Sequence, residues 1–254
     1  MPAHTVPAAA PVALITGAGS GIGRALALRL ARDGYRLALV GRREESLRQT
    51  ADLARAQPGA PPHDPAVLAA DIADSAQAAA VVDATVSRFA RLDALINNAG
   101  YAPLLSIENT TPEIIDRVYR TNAIGPACAI ARAWPTFIRQ RGGCIVNLST
   151  MGTHDPFPGF FAYAAAKAAV NLMALSCAKE GAEHNIRAFA VAPGAVETPM
   201  LRSIFTEEQI PRSACLTPDD VAAVIADCIA GRRPADNGRV IFLASPQDAT
   251  HISG

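Results

Sequence analysis

Short apolar segments alternate with longer Ala-rich segments along almost the whole chain, and this alternation constrains the fold more than any other feature. Seven apolar segments have the length of a β-strand, and most lack the polar alternation of a strand with one solvated face. They lie at 12–16, 36–41, 67–71, 94–97, 144–149, 186–192 and 239–243. Strands buried on both faces and joined by helices form parallel sheets with right-handed crossovers. We therefore predict an α/β protein, a doubly wound parallel sheet of about seven strands with helices on both faces.

Helical patterns occupy the intervals between these strands. They lie near 22–33, 44–56, 75–90, 112–138, 160–181 and 217–230. A Pro-rich segment at 58–65 is predicted to be a loop, because the alternation continues on both sides of it. Residues 11–254 are therefore predicted to form a single domain. Residues 1–10 are rich in Pro and Ala and lack the basic region of a secretory signal, so we predict a disordered tail.

The charge and cysteine content argue against several classes of protein. Lys plus Arg and Asp plus Glu both number 23, and the formal net charge of zero disfavours a nucleic-acid partner or a charge-driven membrane association. No uninterrupted apolar run reaches the roughly 18 to 20 residues that span a bilayer. The five cysteines are widely separated without Cys-x-x-Cys spacing, and no His, Cys and acidic cluster has metal-site spacing. We expect reduced thiols, a cytoplasmic protein and no catalytic metal.

A glycine-rich turn follows the first predicted strand and opens the first predicted helix. Its spacing is Gly17-x-x-x-Gly21-x-Gly23, with Ser20 and Ile22 inside it. Glycines let the backbone approach a pyrophosphate closely, and a helix N-terminus offers free N–H groups to an anion. We predict a dinucleotide site here; a flexible connecting loop is the alternative.

The end of the second predicted strand bears on the choice of dinucleotide. An acidic residue at this position binds the adenosine ribose hydroxyl of NAD. This chain has Gly41 followed by Arg42 and Arg43, which leaves room and positive charge for a 2′-phosphate. NADP(H) is therefore the predicted cofactor and NAD(H) the alternative, since Ser20 lacks the positive charge that some NADP-binding turns carry.

Tyr163 and Lys167 lie four residues apart on a predicted helix, which places a phenol and an ammonium on one face. A nearby cation favours the phenolate and lowers the phenol's pKa below its free value of about 10. Such a tyrosine can exchange a proton with an alcohol oxygen near neutral pH. An exposed pair on a helix surface is the alternative.

Four motifs occur in a characteristic order along the chain. They are Thr16-Gly17-x-x-x-Gly21-Ile22-Gly23, Asn97-Asn98-Ala99-Gly100, Tyr163-x-x-x-Lys167 and Pro193-Gly194. With them, residues 11–220 resemble the short-chain dehydrogenase/reductase family, in the branch with a single Rossmann domain. The resemblance implies an NAD(P)-dependent oxidoreductase that transfers a hydride between the nicotinamide and a ketone or secondary alcohol. A cofactor-binding regulator that has lost catalysis is the alternative from another class.

The resemblance also implies roles for three residues of the active site. Tyr163 would be the general acid in carbonyl reduction and the general base in alcohol oxidation. Lys167 would hold the nicotinamide ribose and lower the pKa of Tyr163. Asn122 would position a water in a proton relay; the alternative is that it caps or kinks its helix.

Further cofactor contacts are implied after the third, fourth and sixth strands. These residues are Asp71, Ile72, Asn98, Ala99, Gly100, Pro193, Gly194, Val196 and Thr198. Asn97 is expected to hold adjacent strands together.

The family places a serine hydroxyl thirteen residues before the tyrosine, where this chain has Thr150. Ser149 precedes it, and adjacent side chains on a strand face opposite sides, so both cannot point at the substrate. Counting back from Tyr163 favours Thr150 as the catalytic hydroxyl. A following loop one residue longer than the family norm would favour Ser149.

Apolar residues are predicted to wall the substrate site. One wall is the loop 151–161 with Phe157, Phe160 and Phe161, and the second is 200–205. Leu104 and Leu105 are expected to complete a pocket for an apolar substrate with a ketone or secondary alcohol. Alternatively, several of these aromatic residues pack in a subunit interface. The resemblance implies a homodimer or homotetramer that meets through the helices 112–138 and 160–181.

Overall fold

The structure is a computed structural model that describes residues 10–245. The tail predicted at residues 1–10 lies, except for Ala10, outside the described residues. Seven parallel strands form one sheet in the order β3-β2-β1-β4-β5-β6-β7. They are β1 Val12–Thr16, β2 Arg36–Gly41, β3 Ala66–Ala69, β4 Ala94–Asn97, β5 Gly143–Leu148, β6 Ile186–Pro193 and β7 Val240–Leu243. This Rossmann-type sheet confirms the predicted fold class.

Helices cover both faces of the sheet. They are α1 Gly21–Arg32, α2 Glu44–Arg55, α3 Ser75–Phe89, α4 Pro112–Tyr119, α5 Gly125–Gln140, α6 Phe161–Glu180, α7 Pro199–Arg202 and α8 Pro218–Ile229. Ala13 and Ile15 of β1 pack into the core that α1, α2 and α8 close, whereas Val12 and Leu14 pack into the core of α3, α5 and α6. Each strand thus has apolar residues on both faces, which explains the lack of polar alternation.

The helix predicted at 112–138 is interrupted. Between α4 and α5 the chain makes a π-helical turn at Arg120–Ile124, which contains Asn122. Pro126 lies four residues after Asn122 and has no N–H to donate to the Asn122 carbonyl, so the regular helical pattern cannot continue there. Interruptions of this kind are frequent at functional sites.

The third strand ends two residues earlier than predicted, at Ala69, so Asp71 and Ile72 lie in the loop beyond it. Gly125 packs closely against this loop, since a Cβ at this position would lie 2.2 Å from the Ile72 carbonyl oxygen. Within the sheet, the Asn97 amide donates to Asn147 Oδ1 at 2.9 Å. This bond joins β4 to β5 and confirms the predicted role of Asn97.

Among the described residues, α6 is the one helix whose length and composition would allow it to cross a membrane. It packs against β5 and β6 and buries Ala174, Cys177 and Ala178 in the core on that face of the sheet. It also carries Tyr163 and Lys167, so its apolar character serves the core next to the candidate site.

Candidate active site

A cleft of about 560 Å³ runs along the edge of the sheet where the strands end. Ligands of open α/β sheets bind at this edge, on either side of the point where the strand order reverses. Most of the predicted site residues line the cleft. They are Gly17, Ser20, Gly21, Ile22, Arg42, Asp71, Ile72, Asn98, Ala99, Gly100, Thr150, Tyr163, Lys167, Pro193, Gly194, Val196 and Thr198. Gly23 and Asn122 lie behind the cleft wall.

The glycine turn is shaped so that neighbouring groups can approach its backbone closely. Gly17 and Gly21 have φ of +67° and +52°, and a Cβ at Gly21 would lie 3.0 Å from the Thr198 side chain. A Cβ at Gly23 would lie 2.4 Å from the Gly17 carbonyl oxygen, so this glycine lets α1 pack under the turn. Ser20 precedes α1 but makes no capping bond to it. The N–H groups of the first turn are therefore free of a side-chain cap, and the cradle fits an anionic pyrophosphate.

Thr16 ties the turn to the end of β4. Its buried hydroxyl donates to the Ile96 carbonyl at 3.2 Å and accepts the N–H groups of Asn98 and Ala99 at 2.9 and 3.0 Å. The Asn98 amide donates to the Thr16 carbonyl at 2.8 Å. These bonds fix against each other two segments that are predicted to contact the cofactor. In the sequence Thr16 ends a strand and begins the glycine motif, but its bonds to β4 could not be predicted because these partners are about eighty positions away.

Tyr163 and Lys167 lie together at the base of the cleft. Lys167 Nζ is 5.8 Å from the centroid of the Tyr163 ring and donates to the Leu148 carbonyl at 2.6 Å. Burial lowers the pKa of Lys167 to about 8 and raises the pKa of Tyr163 to about 12. In the protein by itself the pKa of Tyr163 is therefore raised and not lowered below its free value, because desolvation disfavours the phenolate.

Asn122 holds the wall of the cleft in place. Its side chain accepts the Tyr101 N–H at 3.2 Å, and its amide donates to the carbonyls of Tyr101 and Val118 at 2.8 and 2.9 Å. A Cβ at Gly100 would lie 3.2 Å from Asn122 Oδ1 and 3.9 Å from Lys167 Nζ. Asn122 and Lys167 therefore flank the same glycine, although the Asn122 side chain is occupied by the backbone of Tyr101.

Both candidate hydroxyl residues line the cleft. β5 ends at Leu148, so Ser149 and Thr150 lie beyond the strand and the rule of alternating faces does not separate them. The predicted strand end at 149 was one residue too late. Thr150 Oγ1 accepts the Gly152 N–H at 3.2 Å, whereas the buried Ser149 hydroxyl makes no hydrogen bond within residues 10–245.

An aromatic group lines the part of the cleft where the substrate is predicted to bind. The Phe160 ring lies 5.6 Å from Tyr163, and Phe205 meets Phe157 and Phe160 at 5.7 and 6.3 Å between centroids. Phe161, also predicted in this wall, is instead 49% exposed and does not line the cleft. The two predicted walls therefore meet through Phe205.

The prediction for Leu104 and Leu105 is wrong, since neither lines the cleft. The Leu105 N–H donates to the Gly159 carbonyl at 2.9 Å, which ties this loop to the segment before α6. Tyr101 and Ala102 occupy the wall instead, and Arg117 lies 4.5 Å over the Tyr101 ring. No sequence motif distinguished these residues.

The part of the chain that carries the glycine cradle and the Tyr163–Lys167 pair is matched by a known protein family. The family model for short chain dehydrogenases matches residues 11–209. This chain belongs to the short-chain dehydrogenase/reductase family. As a member, it is an oxidoreductase of the NAD(P)-binding type.

Relatives match this short-chain dehydrogenase over nearly its full length. A 3-oxoacyl-(acyl-carrier-protein) reductase, FabG, of Thermotoga maritima is 36% identical over 245 residues, which cover 96% of this chain and 93% of the relative. Levodione reductase of Leifsonia aquatica is 34% identical, with 95% and 90% covered. The crystal structure of 3-ketoacyl-(acyl-carrier-protein) reductase from Brucella melitensis, complexed with NADH, superposes with a TM-score of 0.84 at 30% identity, covering 94% and 98%.

Proposed function

We propose that this enzyme reduces the carbonyl of a mainly apolar ketone with NADPH and oxidises the corresponding secondary alcohol in reverse. One observation carries the proposal. The Tyr163 phenol lies between a buried lysine and an aromatic wall, at the end of a cleft whose other half is a glycine cradle. Such a cleft can hold a dinucleotide and an apolar substrate side by side, which supplies much of the rate enhancement.

Different residues of the chain would bind different parts of the cofactor. The turn from Gly17 to Gly21 and the N-terminus of α1 would bind the pyrophosphate, and Val196 with Thr198 would contact the carboxamide. Lys167 would hold the nicotinamide ribose. The nicotinamide supplies the hydride when bound.

Tyr163 is the proposed proton donor to the carbonyl oxygen. Its raised pKa keeps the phenol protonated throughout the neutral range, which suits a general acid and favours reduction near pH 7. Alcohol oxidation needs the phenolate, so its rate should rise toward alkaline pH. Thr150 would donate a hydrogen bond to the same oxygen as negative charge develops there. Asn122 would support the proton relay beside Lys167.

NAD(H) is the second candidate cofactor, and the Brucella relative complexed with NADH supports it. Arg42 and Arg43 favour NADP(H), because both line the adenosine end of the cleft, where β2 ends in Gly41. Steady-state kcat/KM with NADPH and with NADH decides between them. Equal or better use of NADH would overturn the preference for NADP(H).

The proposed ketone class is supported by the aromatic wall and by the relatives, whose names describe reduction of 3-oxoacyl groups and of levodione. The test is a panel of acyclic 3-oxoacyl thioesters, cyclic diketones and aryl ketones, assayed by NADPH absorbance. We expect turnover of apolar ketones and no turnover of small charged keto acids. Absence of NADPH oxidation with every ketone would favour a catalytically silent cofactor-binding regulator.

We further propose a homodimer or homotetramer in the cytoplasm. Exposed apolar side chains lie along α5 and α6, the two helices through which the resemblance implies subunit contact. The five cysteines within the described residues are free thiols, which suits a reducing compartment.

A further inference from the structure

Arg202 is the centre of a network on the outer side of the segment that covers the cleft. We call residues 199–215 the lid segment. The guanidinium of Arg202 donates through Nε and Nη2 to the Glu197 carboxylate, at 2.9 and 2.5 Å. Its Nη1 donates to the carbonyls of Thr206 and Ile210 at 3.1 and 2.9 Å and lies 3.5 Å from that of Phe205. One side chain thus connects the start of the lid segment with its middle.

The opposite side of the lid segment faces the cleft. Met200, Leu201, Ile204, Phe205 and Ile210 line it. A series of contacts leads from Arg202 to the reacting group, since the backbone of 205–210 is bonded to Arg202, the Phe205 ring meets Phe160, and Phe160 meets Tyr163. Arg202 itself touches neither the aromatic rings nor Tyr163 in these contacts.

Glu197 anchors the network to the rigid part of the fold. Its N–H donates to the Leu216 carbonyl at 2.9 Å, and Val196 pairs with Leu216 beside it. Arg202 and Glu197 are each less than a quarter exposed, so their ion pair is better shielded than a surface pair. Arginine suits this position because its planar group can bind a carboxylate with two N–H groups and still donate to backbone carbonyls.

We propose that Arg202 is a positioning residue that fixes the depth of the apolar substrate site by holding the backbone of 205–210. The Glu197–Arg202 pair keeps Phe205 and Ile210 over the cleft, so a bulky apolar ketone is bound in register with Tyr163. This inference rests on the proposed function. Displacement of a substrate wall by about 1 Å is enough to reduce turnover as much as a hundredfold.

The test compares Arg202→Met with a matched control on the same segment. Arg212 forms an exposed ion pair with Glu207, so Arg212→Met removes an arginine from the lid segment and leaves in place the hydrogen bonds of Arg202 to Glu197 and to the carbonyls of Thr206 and Ile210. Each variant is assayed with a small aliphatic ketone and a bulky aryl ketone. For Arg202→Met we expect KM for the aryl ketone to rise roughly ten- to hundredfold. The small ketone and the dissociation constant of NADPH should change by less than about threefold, and Arg212→Met should behave like the wild type.

The Arg202→Lys variant tests the geometry of the network. Lysine has a compact charge with three donors and cannot serve the carboxylate and the separate carbonyls with the same geometry, so its aryl-ketone KM should lie between those of wild type and Arg202→Met. An unchanged aryl-ketone KM in Arg202→Met would overturn the proposal. So would an equal loss for both ketones together with lost NADPH affinity, because that pattern indicates a general folding defect.

A readout independent of turnover separates this proposal from the proposed function. Calorimetric binding of the aryl ketone to the enzyme–NADP⁺ complex, together with hydrogen exchange of residues 203–211, reports on the lid segment directly. If the wild type reduces no ketone, the proposed function fails. The role of Arg202 still stands if Arg202→Met weakens aryl-ketone binding and accelerates exchange there, and it falls if both are unchanged.

Discussion

At the scale of single residues, burial sets the pKa values of Tyr163 and Lys167. The helical spacing of the pair could be predicted, because it depends only on local geometry. The direction of the pKa shift of Tyr163 could not, because it depends on how much surrounding protein desolvates the phenol. The Asn122 amide and the Thr16 hydroxyl likewise find partners far along the chain, which no local pattern shows.

Lys167→Met should raise the stability of the protein while it removes activity. Lys167 holds its proton up to a pH of about 8 in the folded chain and up to its ordinary value of 10.5 in the unfolded chain. The unfolded chain binds more protons between these values, so stability rises with pH across that window. We expect the variant to gain about 1–3 kcal/mol in the free energy of unfolding at pH 7 and to lose the pH dependence between 8 and 10.5.

Urea denaturation of both proteins at pH 7 and at alkaline pH measures this effect. A Lys167→Met variant that is less stable than the wild type at pH 7 would show that the bond to the Leu148 carbonyl outweighs the burial of charge.

Thr150→Ala should lower kcat for ketone reduction by about 10²–10³, the usual loss when a donor to a developing oxyanion is removed. Thr150→Ser should retain most of the activity, because it keeps the hydroxyl. Ser149→Ala serves as the neighbouring control and should have little effect on kcat. A large loss in Ser149→Ala alone would assign the catalytic hydroxyl to Ser149 instead.

At the scale of secondary-structure elements, most residues of the candidate site lie at the ends of strands and helices. Apolar runs and helical periodicity predicted each strand and helix to within a few residues, apart from the short α7. They did not predict the π-helical turn at Arg120–Ile124, because periodicity continues through it. Pro126 was a visible signal, since a proline without an N–H interrupts the bond to the residue four positions earlier. The strand ends at Ala69 and Leu148 depended on pairing with neighbours, which the sequence does not show.

The segment between β2 and α2 should control cofactor choice. Arg42→Asp replaces the proposed phosphate contact with a carboxylate suited to a ribose hydroxyl. We expect the ratio of kcat/KM for NADPH over NADH to fall by about ten- to hundredfold, as for loss of a charged hydrogen bond. Arg48→Ala is the control, because Arg48 pairs with Glu44 on the exposed face of α2.

Steady-state kinetics with both cofactors measures the ratio. An unchanged ratio in Arg42→Asp would remove the physical basis for the preference for NADP(H).

Apolar side chains left exposed on α5 and α6 matter at the scale of the whole molecule. They are Ile138, Phe161, Leu172 and Leu175, and Ile124 is exposed in the π-helical turn just before α5. Leu172 is 64% exposed and lies three residues before the exposed Leu175, so both side chains lie on one side of α6. Exposed apolar patches mark interaction surfaces. The parallel sheet and its two cores agree with the prediction from alternation, because parallel strands joined by helices leave few other topologies.

Leu172→Glu should disrupt the proposed oligomer. A charge placed in an apolar interface is costly to desolvate, so the mass measured by light scattering should fall below that of the wild type. Leu53→Glu is the matched control, since Leu53 is also exposed but lies on α2 across the sheet. A monomeric wild type would contradict the proposal, as would equal dissociation in both variants.

The most direct test follows deuterium from C4-deuterated NADPH into the alcohol product of an apolar ketone, in wild type and in Tyr163→Phe. We expect the wild type to place the label on the former carbonyl carbon. Tyr163→Phe should bind NADPH with unchanged affinity and turn over about 10²–10⁴ times more slowly, because the proton donor is gone. Label transfer at the wild-type rate in Tyr163→Phe, or no transfer in the wild type with any apolar ketone, would contradict a carbonyl reductase built on Tyr163.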